Sequence, residues 1–404
     1  MKISSSSISR LLRWFYENGR HSLPWRQNRS LYRVWVSEIM LQQTQVKTVL
    51  DYYSRFLSAF PDVNALAEAE EETVLRQWEG LGYYRRARQL HAAAKVIVAR
   101  EDSSFPETFA EVLALPGIGR YTAGAILSFA QDQRLPILEA NTQRLFARLN
   151  ALEVPTGSGS AQKILWKTAE DFISEETSHE SPCAINTALM DLGSLLCTPQ
   201  NPQCDRCPFQ QECEALRQNR VSQIPVASVK TAYESRTEAA VLITRSVSGS
   251  SEPKEGIFSK SEKEEVLLLR YVKGEWWAGL WDFPRTQIFS DKPESEITDF
   301  VQKTTGLKIR LGAELTSFRH SVTRYRILLR TFQGELSQTS SPQVSSDSEN
   351  AFFLRGRTPA GGEIRWVGLS ELNAFPLCST GRKIVEMLQK KSVSPTTKGK
   401  SAKR

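Results

Sequence analysis

The chain has 404 residues, 40% of them hydrophobic and 24% charged, enough for two domains of ordinary size with cores of their own. Its formal net charge of +7 suits a polyanionic partner as well as it suits a plain basic enzyme, so charge alone does not choose between them. No run of eighteen apolar residues exists, which excludes a transmembrane helix. Residues 1–7 are polar and serine-rich, without the apolar centre of a secretory signal, so the protein is expected inside the cell.

In chain order, residues 8 to about 225 read as mostly helical. Apolar residues recur every three or four positions, as in Leu31, Val34, Trp35 and Ile39 and again in Leu75, Trp78 and Leu81. Breaks fall at Phe60-Pro61 and Phe105-Pro106. Residues 220–235 are polar around Pro225 and read as a linker. β-Branched and aromatic runs then predict strands at 239–244, 266–271 and 325–332, with helices at 294–305 and 381–390, an α+β half. Residues 246–263 and 334–350, rich in Ser, Glu and Gln, read as loops or disorder. The expected organisation is a helical domain at 8–220, a linker at 221–235, an α+β domain at 236–390 and a basic disordered tail at 391–404.

Four of the six cysteines, Cys197, Cys204, Cys207 and Cys213, follow C-x6-C-x2-C-x5-C. In a reducing compartment such clustering speaks for a metal centre, not disulfides. Four-thiolate zinc sites are common, although usually built from two separated C-x2-C pairs. A single pair flanked by looser ligands suits a cubane iron–sulfur cluster, one cysteine to each iron. Cys183 and Cys378 read as ordinary buried thiols.

Leu115-Pro116-Gly117-Ile118-Gly119-Arg120-Tyr121-Thr122-Ala123-Gly124 sets two glycines around one apolar residue. They let the backbone turn tightly between helices and offer N–H groups to a phosphate, although an ordinary inter-helix turn uses the same residues. In residues 34–45, helical spacing puts Glu38 on a face with Val34, Trp35, Leu41, Gln42 and Gln45. A carboxyl desolvated on an apolar, aromatic face has a raised pKa and suits a general acid, whereas a surface glutamate does not. The amides of Gln42, Gln43 and Gln45 suit base edges. Gly80-Leu81-Gly82-Tyr83-Tyr84-Arg85-Arg86-Ala87-Arg88 joins glycines that permit close approach to a flat wedge at Tyr83 and arginines suited to phosphate. The plain alternative is a buried aromatic pair.

Together these strings resemble the A/G-specific adenine DNA glycosylases of the endonuclease-III-like helix-hairpin-helix family, strongly up to residue 215 and loosely to 388. The carriers are the cysteine spacing, L-P-G-I-G-R-x-T-A-G, V-W-x-S-E-x-M-L-Q-Q-T-Q, G-L-G-Y-Y-x-R-A-R and Leu23-Pro24-Trp25-Arg26. The resemblance implies an all-α helix-hairpin-helix glycosylase core with an iron–sulfur loop at 197–213, and an α+β Nudix-like C-terminal domain. It implies a structural 4Fe–4S cluster whose loop presents Arg206 to phosphate. It also implies a hairpin of Gly117, Gly119 and Arg120 that grips the DNA backbone, often with a monovalent cation on its carbonyls. The implied reaction removes adenine mispaired with 8-oxoguanine or guanine in double-stranded DNA. In it Glu38 protonates adenine at N7, Tyr83 intercalates and Trp25 and Arg26 line the adenine pocket, while Gln42, Gln43, Thr44 and Arg88 meet DNA.

The family's second carboxylate is an aspartate in Leu-Asp-Gly-Asn. This chain has Leu138-Glu139-Ala140-Asn141, so Glu139, beside Asn141, takes the place of the oxocarbenium stabiliser or nucleophile. Glutamate reaches one methylene further, and a misplacement of about 1 Å can cost on the order of a hundredfold in rate. Alternatively, Glu139 only caps the next helix. Gln143 stands where bacterial relatives often carry lysine. Tyr121 stands where bifunctional relatives keep their Schiff-base lysine, and a phenol forms no imine, so a monofunctional enzyme is implied, with Tyr121 assisting near the second carboxylate.

Trp277-Ala278-Gly279-Leu280-Trp281-Asp282-Phe283-Pro284 resembles the sheet motif of Nudix domains, but no R-E-x-x-E-E metal helix follows. A reader is implied, not a pyrophosphatase. The family's reading loop, Phe-Arg-His-x-Phe-Ser-His, is here Phe318-Arg319-His320-Ser321-Val322-Thr323-Arg324. Phe318 and His320 are kept, Thr323 retains a hydroxyl and Arg324 replaces the last histidine; His320 is equally readable as a structural strand-end histidine. Two rivals stand beside this reading: a catalytically impaired mismatch or lesion binding protein, and a pyrimidine-specific glycosylase of the same superfamily. A monomer without membrane contact is expected, cytoplasmic and nucleoid-associated in a bacterium.

Overall fold

The computed structural model describes residues 3–100, 103–227, 232–246, 264–290, 292–337 and 356–393. They fall into two compact units, Met1–Ala69 with Arg85–Lys230, and Glu70–Tyr84 with Thr231–Arg404. Among the described residues no helix is long and apolar enough to cross a membrane.

The first unit is helical. Its elements are α1 (Ser5–Asn18), α2 (Pro24–Gln27), α3 (Leu31–Leu41), α4 (Val46–Ala59), α5 (Val63–Glu68), α7 (Arg85–Arg100), α8 (Phe109–Leu113), α9 (Arg120–Gln131), α10 (Ala140–Leu149), α11 (Gly159–Ile173), α12 (Pro182–Leu195) and α13 (Glu214–Arg217); α6 (Glu71–Trp78) lies in the second unit. Local signals set the ends: Ser30 caps α3, Pro182 opens α12 behind its cap Ser181, and Asp132 closes α9 in the left-handed region at φ 56°. α1, α10, α11 and α12 share one core around Phe146, Phe172 and Phe209, against which Cys197, Cys207 and Cys213 pack. α3 lies against α4, α7 and α9.

The end of α3 corrects one expectation. The helix stops at Leu41, and Gln42 leaves it at φ −58°, ψ 114°. Gln42 and Gln45 therefore share no helical face with Glu38. The cause is Arg86, a buried side chain of α7. Its Nη1 donates to the carbonyls of Ile39 and Met40, each at 2.9 Å, and to that of Gln42. Carbonyls at a helix end lack partners within the helix, and a guanidinium supplies several donors at once. Arg86 thus caps α3 and is not available to a phosphate.

Among the described residues the second unit holds a seven-stranded mixed sheet: β1 (Glu234–Ser246), β2 (Glu264–Arg270), β3 (Trp281–Asp282), β4 (Arg285–Ile288), β5 (Ile309–Val322), β6 (Tyr325–Leu336) and β7 (Ile364–Gly368), in the order β3-β2-β1-β6-β5 with β4 beside β1 and β7 beside β2. β1 is buried on both faces, which is why Ala239–Ile243 reads as an unbroken apolar run. Ala239, Val241 and Ile243 meet α14 (Glu294–Thr305) through Ile297 and Val301. Ala240 and Leu242 share a core with Ile384, Val385 and Leu388 of α15 (Ser379–Val393).

Boundaries differ from expectation in three places. β1 starts at Glu234 in parallel register with Tyr325, because backbone pairing recruits polar residues read as linker. β6 continues through Gly334 to Leu336 where a loop was expected; a Cβ at 334 would meet Val241 Cγ1 at 2.8 Å, so glycine fits the strand closely there. α15 runs to Val393, past the expected start of the tail. The loop and tail expectations at 247–263, 338–350 and 394–404 lie outside the described residues.

Candidate functional site

The first unit contains a cavity of about 710 Å3 between α2, α3, α9, α10 and α12. It gathers Trp25, Arg26, Glu38, Gln42, Gln43, Thr44, Tyr121, Glu139 and Asn141, residues scattered over more than a hundred positions of sequence. Glu38 is 5% exposed, on the buried side of α3. Burial pushes its carboxyl from 4.5 up to about 7, with the Tyr121 hydrogen bond opposing and the charge of Glu139 adding. The Tyr121 hydroxyl donates to Glu38 Oε2 at 2.6 Å. Burial and both carboxylates hold the phenol well above its usual range, so it stays a donor.

Glu139 is the N-cap of α10 in a reciprocal capping box with Thr142. Its Oε1 accepts from Thr142 N at 2.8 Å. Oε2 accepts from Asn141 N at 2.8 Å and from Asn141 Nδ2 at 3.2 Å. Burial raises its pKa, against those backbone bonds and the charges of Arg144 and Arg20. The cap and the cavity lining are therefore one geometry: capping aims the carboxylate into the space that Glu38 lines.

Residues the sequence reading missed hold this cavity in shape. Asp191 of α12, fully buried, receives Arg20 N, Nε and Nη2 and both Arg26 Nη atoms at 2.6–2.9 Å. Burial alone would raise its pKa, but hydrogen bonds from Arg26 and the charges of Arg26 and Arg20 hold it low. A lone acid inside the apolar run of α12 was the available signal. Arg144 links Asn141 Oδ1 at 2.8 Å to the carbonyls of Gly193 and Cys197 at 2.7 and 2.8 Å. Gly193 is needed for this approach, since a Cβ there would lie 2.8 Å from Asn141 Cβ and O.

The other expected DNA contacts lie outside the cavity. Gly117 has φ +78° in the turn before α9 and cannot carry a side chain without strain. At Gly119, the N-cap of α9, an added Cβ would meet nothing within 4 Å, so the fold leaves open space beside this backbone. Arg120 pairs with Glu170 at 3.0 Å and stacks 3.8 Å from the Trp166 ring centre. Arg88 lies on α7, and Arg206 bonds Gln203 Oε1 at 3.0 Å. In the second unit Tyr83 is 58% exposed at φ 50° whereas Tyr84 is buried, so the two are not a buried aromatic pair.

The four cysteines 197, 204, 207 and 213 surround one small apolar cavity with Leu145, Leu149 and Arg148. Arg148 reaches Cys197 Sγ at 3.2 Å and fixes the loop through the carbonyls of Thr198, Pro199 and Ile224 at 2.8–3.3 Å. Burial raises the thiol of Cys207 to about 12, and the charges of Cys197, Cys213 and Cys204 contribute. A cationic centre among them would reverse both effects, so this donor set fits a thiolate-bound metal group. Among the described residues no three His, Cys, Asp or Glu side chains are gathered tightly enough for a single ion, whereas a cluster spreads its ligands wider.

In the second unit Thr323 and Arg324 form the tip of the β5–β6 hairpin, where Val322 pairs with Tyr325. Both are exposed, Thr323 at φ 51°. Arg324 pairs with Glu234 at 3.2 Å and donates to Tyr325 OH at 2.9 Å. Phe318 packs against the core shared with α15, and His320, two residues before the end of β5, is half-buried.

Three family models match parts of the chain. Residues 36–170 match the family described as HhH-GPD superfamily base excision DNA repair protein, residues 197–213 the iron-sulfur binding domain of endonuclease III, and residues 257–387 a NUDIX domain. The match over 197–213 decides between zinc and iron–sulfur: the cysteine loop is an iron–sulfur site. Adenine DNA glycosylase of Buchnera aphidicola subsp. Baizongia pistaciae is 33% identical over 319 residues, 79% of this chain and 83% of that protein. The enzyme so named in Schizosaccharomyces pombe is 31% identical over 431 aligned residues, 91% of this chain and 86% of that one. The rat protein of the same name is 41% identical over 228 residues, 53% of this chain and 43% of its own. Of solved structures, a thermostable thymine-DNA glycosylase is similar at 25% identity and TM-score 0.46, covering 52% of this chain and 95% of that one. Likeness to whole relatives, spanning both the helical unit with its iron–sulfur loop and the Nudix-like unit, shows that this chain belongs to the adenine DNA glycosylase family.

Proposed function

We propose that this chain is a monofunctional glycosylase that hydrolyses the N-glycosidic bond of adenine mispaired with 8-oxoguanine or guanine in duplex DNA. The observation that carries the reading is the Glu38 carboxyl, buried at the wall of the cavity with a pKa near 7 and a second carboxylate, Glu139, beside it. Glu38 gives its proton to adenine N7. As the C1′–N9 bond breaks, its electron pair leaves with N9 and positive charge grows at C1′ and the ring oxygen. Glu139, held by its backbone donors, faces that charge, and water then adds at C1′ and gives its proton to the Glu38 carboxylate, which restores the acid. Tyr121 steadies the Glu38 carboxylate left behind by donating to Oε2. Among the described residues no lysine lines the cavity, which supports base release without strand cleavage.

Cys197, Cys204, Cys207 and Cys213 hold the cluster, which we assign as 4Fe–4S; it supplies a structural pin for its loop and takes no part in the proton transfer. The open space at Gly119 and the turn at Gly117 support a phosphate grip at the hairpin. The exposed Tyr83 supports insertion into the base stack, and the tip at Thr323 and Arg324 supports inspection of the partner base by the second unit.

Single-turnover release of adenine from a duplex with adenine opposite 8-oxoguanine, with adenine opposite thymine as control, tests this. Selective release that vanishes in Glu38→Gln supports it. A second reading, a lesion binder without chemistry, draws on the three donors that already occupy Glu139; selective binding without release, restored by Glu139→Asp, would favour it.

A further inference from the structure

Behind the β5–β6 hairpin lies a buried polar network that the reaction does not use. Arg285 opens β4 with its guanidinium almost wholly buried. It pairs with Glu238 of β1 at 2.5 Å, donates to Thr380 Oγ1 of α15 at 2.9 Å and stands 3.6 Å from Asp282 Oδ2. It also stacks 4.3 Å from the Trp277 ring centre. Cys378 donates from Sγ to the same Asp282 oxygen at 3.0 Å. The Nη2 of Arg285 that meets Glu238 also stands 3.0 Å from His320 Nε2.

A guanidinium has five donors, no acceptor and does not deprotonate. The His320 nitrogen facing it must therefore be the acceptor. We propose that Arg285 is a positioning residue that fixes His320 as a neutral ring with its proton on Nδ1, so that the hairpin presents a directed N–H donor to the partner base. The recognition half of this inference rests on the reading that the hairpin inspects that base. Nδ1 has no protein partner among the described residues, and the ring is half-exposed.

The electrostatic surroundings agree. Two cations face the imidazole, Arg285 from β4 and Lys383 from α15, while the carboxylates Glu238 and Asp282 pair with Arg285, Glu238 at the same Nη2 that faces the ring. Burial, then Arg285, then Lys383 push its pKa down to about 4, so the ring does not become a second cation in the physiological range. The acceptor that 8-oxoguanine has and guanine lacks is the oxygen on C8. A fixed Nδ1–H is complementary to it, whereas the other tautomer would turn a lone pair outward.

The test is nitrogen-15 NMR of the histidine rings in the full-length, cluster-loaded protein, tractable because the chain has 4 histidines; His320→Gln assigns the signal. The expected result is an Nδ1–H tautomer that does not protonate between pH 5 and 8. Arg285→Gln, whose amide accepts as well as donates, should give mixed tautomers and a titration nearer the ordinary value of about 6.5. In a Glu38→Gln background, which keeps adenine in place, His320→Ala should narrow the binding preference for 8-oxoguanine over guanine about five- to tenfold. A proton on Nε2, or ordinary titration in the native chain, overturns the lock whether or not Arg285→Gln folds. The Nδ1–H tautomer with an unchanged preference in His320→Ala overturns the recognition half and the reading beneath it.

Discussion

Glu38→Gln should uncouple stability from activity in a way that only a buried, titrating carboxyl can. The folded chain holds Glu38 near 7 against an ordinary 4.5, mainly by burial. A raised folded-state value means the stability associated with the protonated group is fully present below the ordinary value and is lost as pH rises through about 7. Each tenfold change in the protonation equilibrium is about 1.36 kcal/mol, so ionising Glu38 in place costs the folded chain about 3 kcal/mol at pH 9. Glutamine is neutral and keeps an oxygen for the Tyr121 hydroxyl, so it escapes that cost. At pH 5 about 0.8 kcal/mol of that cost is already present, so the variant should melt only about 2–3 °C above the parent. By pH 9 the variant should melt higher by about 6–12 °C, at about 2–4 °C per kcal/mol for a unit of this size. Thermal unfolding from pH 5 to 9 under argon, followed by near-ultraviolet circular dichroism, reads the difference. Single-turnover base release by the parent should fall on the alkaline side with an apparent pKa near 7, and the variant should release no adenine. A melting difference that stays flat across this range would refute a carboxyl titrating near neutrality, and with it the assignment of Glu38 as the acid.

Gly193→Ala places a methyl 2.8 Å from Asn141; we expect a loss of about 1–3 kcal/mol and at least tenfold slower base release with unaltered cluster absorbance. Asp191→Asn leaves Arg20 and Arg26 without their shared charge partner and should cost about 3–5 kcal/mol at pH 7, measured by urea titration. Because Asp191 is held low, its contribution in the parent is in place above about pH 4 and disappears only as pH falls through the depressed value. Arg148→Met strips donors from the carbonyls of Thr198, Pro199 and Ile224; at about 1–3 kcal/mol for each stranded group, absorbance near roughly 400 nm should bleach faster in air than in the parent.

What the sequence disclosed follows from the distance over which each signal acts. The cysteines are local, so their spacing pointed to them, and Glu139 was read from its place in a local motif that resembles the family's Leu-Asp-Gly-Asn. Glu38 could be read because helical periodicity carried it to the buried face of α3. The same reasoning failed four residues on, since it had no means of seeing that Arg86, more than forty positions away, ends the helix at Leu41. Asp191 with Arg20 and Arg26, and Arg285 with Glu238 and His320, are likewise pairings across long separations. Each partner looks like a surface charge until the fold removes it from water. The tandem tyrosines show a finer limit: composition marks 83 and 84 alike, and the positive φ at Tyr83 turns it out to solvent while its neighbour is buried.

Segment Glu70–Tyr84 interrupts the helices of the first unit in sequence yet belongs to the second. Arg382 binds Glu79 through both Nε and Nη2, Trp281 Nε1 donates to Glu72 at 3.1 Å, and Tyr84 OH donates to Leu377 O at 3.4 Å. Glu79 and Arg382 are 303 residues apart. At roughly 5–20 residues per second of synthesis, Glu79 emerges about 15–60 s before the arginine exists. Helices on either side of the segment can settle in that interval, but the stretch ending in Tyr83 and Tyr84 cannot reach its final setting until α15 has left the ribosome. Maturation of this stretch therefore runs backwards through the sequence: residues made 303 positions later complete it.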